Sequence, residues 1–174
     1  MLKYKPIQFI KGLSLSFFII LFAITGCATH KASRYTDSKS PRKVVRYTDS
    51  YEIEQKIRDE FKRWKGTQHI LGGIGQKGID CSGFVMEVYK KLFNIELPRT
   101  AIDQAKKGVP IGMDELQAGD LVFFRPPTFP HHVGIYLSGD KFVHTSKSKG
   151  VIISHIDSSY WTKYYWTARR ILHK

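Results

Sequence analysis

The chain has 174 residues and is strongly basic, with 28 Lys and Arg against 15 Asp and Glu for a formal net charge of +13. Such a balance points to an anionic partner, but no zinc-finger spacing and no base-stacking aromatic motif supports nucleic acid. Two cysteines, Cys27 and Cys81, leave no room for a disulfide framework once the first is assigned.

Residues 1–26 read as an export signal. Lys3, Lys5 and Lys11 form a basic leader without acids, and Leu13 to Ala23 form an apolar run too short for a comfortable membrane span. Ile24-Thr25-Gly26-Cys27 has the form of a lipobox, where processing leaves a lipidated cysteine at a new N-terminus. Several acyl chains, at about 0.8 kcal/mol per buried methylene, anchor a protein to a membrane. Ala28 in place of Asp favours the outer membrane, with the rest facing the periplasm. Cleavage removes three Lys and no acid, leaving 25 basic and 15 acidic side chains. In that compartment a peptide-bearing wall polymer or a lipid headgroup suits the charge. Residues 27–48 carry Cys27 and a Ser, Thr, Lys and Arg tether with little aliphatic content.

Residues 49–174 have the size of one domain with one core. Asp49 or Ser50 is expected to cap a first helix whose Ile53, Ile57, Phe61 and Trp64 share a face, with Gly66 past its end. Thr67 to Gly78 is Gly-rich and reads as a loop. A central helix starts at about Cys81 with a broad apolar stripe of Phe84, Val85, Val88, Tyr89 and Leu92, and ends at Asn94. Thr100 caps a short helix predicted over Ala101 to Lys107. The period then becomes two: Leu121 to Phe124, Val133 to Leu137, Phe142 to Thr145, Val151 to His155 and Thr167 to Leu172 read as strands. Helices followed by antiparallel strands make an α+β fold.

Cys81, left without a disulfide partner in an oxidising compartment, is a liability unless it has a use. A helix start stabilises a thiolate, lowering a thiol pKa from about 8.5 into a range of roughly 3.5–7.5 with help from an imidazolium. A thiol nucleophile also needs a base, and the base an orienting partner. Asp80-Cys81-Ser82-Gly83, His131-His132-Val133-Gly134-Ile135-Tyr136, Phe142-Val143-His144-Thr145 and Leu116-Gln117-Ala118-Gly119-Asp120-Leu121 supply candidates in order. Together they resemble the NlpC family of papain-like cell-wall cysteine peptidases, over about Trp64 to Leu172. The likeness extends to the Spr-type murein endopeptidase lipoproteins.

The resemblance implies a papain-like fold, with N-terminal helices on a five- to six-stranded antiparallel sheet. It makes Cys81 the nucleophile, His132 the base and then acid, and His144 the third, polar member. It implies a peptidoglycan peptide substrate, cut at the D-Ala–diaminopimelate cross-link or between D-Glu and diaminopimelate, with no cofactor, no metal and a monomeric chain. Strand alternation agrees: Val133, Ile135 and Leu137 share one face, leaving His132, Gly134 and Tyr136 on the other. His131 then falls off the strand or at a rim. In a hairpin, His132 and His144 share a face only if the loop between the strands has an odd number of residues or a bulge, so a three- or five-residue loop is predicted around Ser138 to Lys141. Backbone N–H groups of Cys81 and Ser82 are the expected oxyanion donors. The family places a Tyr twelve residues before the nucleophile. His69 stands there in this chain, as a donor or as part of the groove.

Asp80 reads as an N-cap, Asp120 as a turn residue rather than a catalytic one, and Arg99 as a surface side chain, with binding of a substrate carboxylate as the alternative. Trp161, Tyr164, Tyr165 and Trp166 read as packing, with sugar binding as the alternative. Rival readings are an amidase or acyltransferase on the same fold, a wall-binding lipoprotein with a dead site, and a zinc site formed by Cys81, His132 and His144.

Overall fold

The computed structural model describes residues 47–128 and 131–172. Cys27, the signal and the tether up to residue 46 lie outside them; the last two residues of the tether begin the first helix. Helix α1 is Tyr47–Trp64, two residues longer at its start than the capping pattern of Asp49 or Ser50 implies. Asp49 instead sits in the first turn, where a carboxylate still favours the helix dipole. Ile57 and Trp64 are buried as expected, and Gly66 leaves the helix at φ +78°. The Gly-rich stretch is not wholly irregular: β1 (Ile74–Gly75) and β2 (Gly78–Ile79) form a minimal hairpin.

Helix α2, Cys81–Phe93, follows directly. Its N-cap is Asp80, which accepts from Gly83 N–H at 2.7 Å, and Asn94 closes it in the left-handed region at φ 55°. Helix α3 spans only Ala101–Gln104. Lys106 and Lys107 donate to carbonyls three residues back, because the chain must turn at Gly108 (φ +67°) to join the sheet edge. The predicted extension to Lys107 is therefore a tight turn.

Strands β3 (Val109–Ile111), β4 (Leu121–Phe124), β5 (His132–Tyr136), β6 (Lys141–Ser146), β7 (Gly150–His155) and β8 (Tyr165–Arg170) form one antiparallel sheet in the order β3-β8-β4-β5-β6-β7. Strand β3 contains Pro110 and escapes a pattern search; a proline is tolerated there because the strand is at an edge. A six-residue helix, α4 (Ser159–Tyr164), also lacks a sequence signal. It starts β8 two residues earlier than predicted, and Ile171 and Leu172 pack against the core beyond the strand.

Both faces of the sheet are covered. Leu121, Phe123, Val133, Ile135, Leu137 and Val143 pack with Phe84, Val85 and Val88 of α2, the broad apolar stripe. The alternate residues Val122, Phe124, Tyr136 and Phe142 pack on the other face with Trp161 of α4. A strand buried on both sides loses its polar alternation, hence the Leu-Val-Phe-Phe run of β4.

Candidate active site

The loop joining β5 and β6 decides which face carries the histidines. Ile135 pairs with Val143 and Tyr136 with Phe142, and Leu137 N–H donates to Lys141 O at 2.8 Å. The loop is therefore three residues, Ser138-Gly139-Asp140, with Gly139 and Asp140 both at positive φ. The odd length places His132 and His144 on the same face, and their rings meet: His132 Nε2 and His144 Nδ1 are 2.9 Å apart.

They are diagonal neighbours, since continuing the register sets His144 opposite Gly134. Glycine is required there. A Cβ on Gly134 would lie 2.6 Å from the Phe142 ring, 2.8 Å from Val143 O and 3.1 Å from His144 Cβ. His144 Nε2 lies 2.9 Å from Ser154 Oγ on β7. Trp161 stacks on His132 at 5.3 Å between ring centroids and meets His144 edge-on at 5.0 Å. His132 is only 4% exposed. His131 lies off the strand, with its ring 5.9 Å from that of Trp166.

Cys81 opens α2 and lies against β5. Pairing of β5 with β6 ends at Ile135, and the Val133 N–H turns to the Cys81 sulfur instead. The nucleophile candidate thus lies beside the residue that follows His132. The N–H groups of Ser82 and Cys81 face the same sulfur, as an oxyanion site at a helix start requires.

Thiol and imidazole are both held neutral. Burial pushes the Cys81 thiol up to about 11; the charge of Asp80 adds to the rise, against the three N–H groups, which lower it. Burial pulls His132 down to about 3, with the nearby His69 as a second cause. His144 is also lowered, first by burial and then by His132. The expected resting thiolate is therefore corrected: the helix dipole is present, but desolvation of the charged form outweighs it.

Asp80 organises the helix entrance. It accepts from Gly83 N–H, from Gly72 N–H at 2.9 Å and from the Ser82 hydroxyl at 3.1 Å. Arg99 grips both of its oxygens, at 2.6 and 3.0 Å, and donates to Ser82 Oγ at 3.0 Å. Burial alone raises the Asp80 carboxyl, but Arg99 and the two amides outweigh it and hold the carboxyl below its ordinary range. Arg99 is thus a partner of the helix cap, where sequence reading had a surface side chain. The Ser82 hydroxyl is absorbed by this network, so only its amide is directed at chemistry. Gln104, fully buried, donates to Ser82 O at 3.0 Å and Pro98 O at 2.8 Å. No spacing in the sequence links residues 80, 99 and 104; the connection depends on residues 94–100 returning across the start of α2. Asp120, read as a turn residue, accepts from Gln117 N–H and is also gripped by Arg170 at 2.7 and 2.9 Å.

A cleft of about 470 Å³ opens over Cys81. His69, Leu71 and Gly72 line it from the loop before β1, Arg99 to Ile102 from the start of α3, and His131 from just before β5. His69 is half-buried in this wall. Among the described residues, no group of three His, Cys, Asp or Glu is arranged to hold a metal ion, so the zinc reading of Cys81, His132 and His144 finds no ligand set.

A fold of this kind, with a cysteine opening its central helix and a histidine pair on the adjoining strands, defines a papain-like class of domain. Residues 66–170 match the model of the NlpC/P60 family, and the chain belongs to that family. It is 44% identical over 129 residues to the murein DD-endopeptidase MepS/murein LD-carboxypeptidase of Escherichia coli strain K12, covering 74% of this chain and 67% of that protein. It is 40% identical over 155 residues to the probable endopeptidase NlpC of the same strain, covering 88% and 96%. Among solved structures, a lipoprotein-like NLP/P60 family protein from Staphylococcus aureus subsp. aureus Mu50 matches with a TM-score of 0.63 and 38% identity. That match covers 71% of this chain and 42% of the other, so the chain spans about two fifths of that protein.

Proposed function

We propose that this protein is a murein endopeptidase that cleaves peptide bonds of the cell wall through Cys81, His132 and His144. The observation that carries the reading is the 2.9 Å contact of His132 Nε2 with His144 Nδ1. It commits one nitrogen of His132 to an orienting partner and leaves Nδ1 as the atom to exchange a proton with the thiol. Because thiol and imidazole are both neutral at rest, His132 takes the thiol proton as the sulfur attacks the carbonyl. The Cys81 and Ser82 amides receive the developing oxyanion. His132 then protonates the leaving amine, and water enters to release the acyl group from sulfur with His132 again as base.

Likeness to a murein DD-endopeptidase favours the D-Ala–diaminopimelate cross-link as the scissile bond, with the D-Glu–diaminopimelate bond as the alternative. The lipobox supports a lipid anchor on Cys27, and Ala28 after it supports the outer membrane, facing the periplasm. Digestion of purified murein, with products identified by mass, tests the reading. The wild type should release peptides with new termini at one of these bonds, and Cys81→Ala should release none. Intact murein after wild-type digestion would leave the wall-binding alternative. Labelled palmitate entering the wild type but not Cys27→Ala tests the anchor.

A further inference from the structure

Most lysines and arginines with a nearby carboxylate on this surface use it. Lys62 pairs with Asp59, Arg63 and Lys91 with Glu60, Lys90 with Glu96 and Lys106 with Asp103. Lys65, Lys77 and Lys149 are exposed and make no ion pair with a described residue. The fold draws these three together. Gly66 N–H donates to Val151 O and Val151 N–H to Thr67 O, both at 3.0 Å, while Thr67 Oγ1 donates to Gln76 Oε1 at 3.4 Å. Gly150, at φ +68°, presses its backbone against Thr67 O so closely that a side chain there would collide. Each lysine is adjacent in sequence to a residue in one of these contacts. The two segments that meet, 61–79 and 141–156, contain no Asp or Glu, so the positive charge has no counter-charge within either.

The location is as informative as the charge. From Thr67 the chain passes through Gln68 to His69 and Leu71, which line the cleft. The basic region therefore begins two residues from the cleft wall. It also lies at the Trp64 end of α1, whereas the residues preceding 47 join at the other end. Eighteen residues at 1.5 Å each separate the two ends by about 27 Å. A surface continuous with the cleft and remote from the N-terminal attachment faces substrate more readily than membrane.

We infer that Lys65, Lys77 and Lys149 form an electropositive exosite beside the cleft that retains an acidic, peptide-bearing wall polymer while one of its peptides occupies the site. The inference rests on the murein reading above and adds how the polymer, as distinct from a short peptide, is held. Single exposed charges act weakly, but a polyanion meets all three at once, and its local concentration rises accordingly. The attraction is screened over about 10 Å at 0.1 M salt.

Binding is measured on the full chain carrying Cys81→Ala, so that the polymer stays intact, by co-sedimentation with purified murein at low and high salt. Lys65→Gln/Lys77→Gln/Lys149→Gln in that background should bind about tenfold more weakly at low salt, with a flatter salt dependence. The corresponding Arg triple should bind like its parent. With Cys81 restored, the Gln triple should cut a soluble stem-peptide dimer at the wild-type rate but digest intact murein more slowly. Equal murein binding by the Gln triple overturns the inference, as does an equal loss on the soluble dimer. Loss of binding to phosphatidylglycerol vesicles with none on murein also overturns it, by assigning the patch to a membrane. If the wild type cuts neither substrate, the endopeptidase reading fails, while the binding comparison still decides the patch.

Discussion

The two polar groups that flank Cys81 are stabilised in opposite ways. His132 and His144 lie among Phe124, Phe142 and Trp161 and are held uncharged. Asp80, next to Cys81 in the chain and also buried, keeps its charge because Arg99 and two amides answer it. Burial is common to both. What differs is whether a counter-charge is supplied, and that decides which region can move a proton and which only holds a helix end.

The largest effect separates the regions by activity. His132→Ala should reduce kcat on murein by on the order of 10³-fold or more, with its circular dichroism spectrum unchanged. A loss below tenfold would remove His132 from the chemistry. The thiol comes next. With a pKa of about 11, alkylation of Cys81 by iodoacetamide should accelerate about tenfold per pH unit from pH 6 to 9. A rate that levels off below pH 7 would restore the thiolate–imidazolium pair and abolish the contrast.

Arg99→Ala should act in the other direction, on stability. Stranding a buried carboxylate costs about 3–5 kcal/mol when the pair is fully enclosed. The Arg99 side chain is 37% exposed, so about 1–3 kcal/mol is expected, read from urea denaturation at pH 7. A pH effect follows from the neutral imidazoles. Their folded pKa values lie below 6.5, so the unfolded chain binds more protons as the medium is acidified. The stability that depends on these neutral rings is complete above about pH 6.5 and declines as the pH falls toward 3, by at most about 1.4 kcal/mol per pH unit for His132, with His144 acting in the same direction. The Asp80 contribution instead persists down to its unfolded pKa of about 3.9 and is lost below it, so pH 5 to 6.5 isolates the histidines. Trp161→Ala, which lets water reach the pair, should flatten that slope. An unchanged slope would show that the indole does not keep His132 neutral.

Legibility in the sequence tracked how local each determinant is. Asp80 and Asn94 bound α2 through contacts within a few residues, and the sequence showed both. The odd length of the β5–β6 loop is legible for the same reason, because strand alternation is a local rule with a non-local result. Strand β3, α4 and the Arg99–Asp80 pair were hidden, since each depends on segments distant in the chain. The Cys81 ionisation was misjudged because a sequence displays the helix start but not the depth of the seat. Trp161 was read as packing, which it is, though the rings it covers are the proposed base and its partner.

The Ser138-Gly139-Asp140 connection has a consequence for natural variation. Inserting or deleting a single residue there would leave a foldable hairpin but send His144 to the opposite side, whereas a change of two would keep the imidazoles together. Tolerated length differences in this turn should therefore come in even steps, making its residue count a marker of whether a related domain retains a working site.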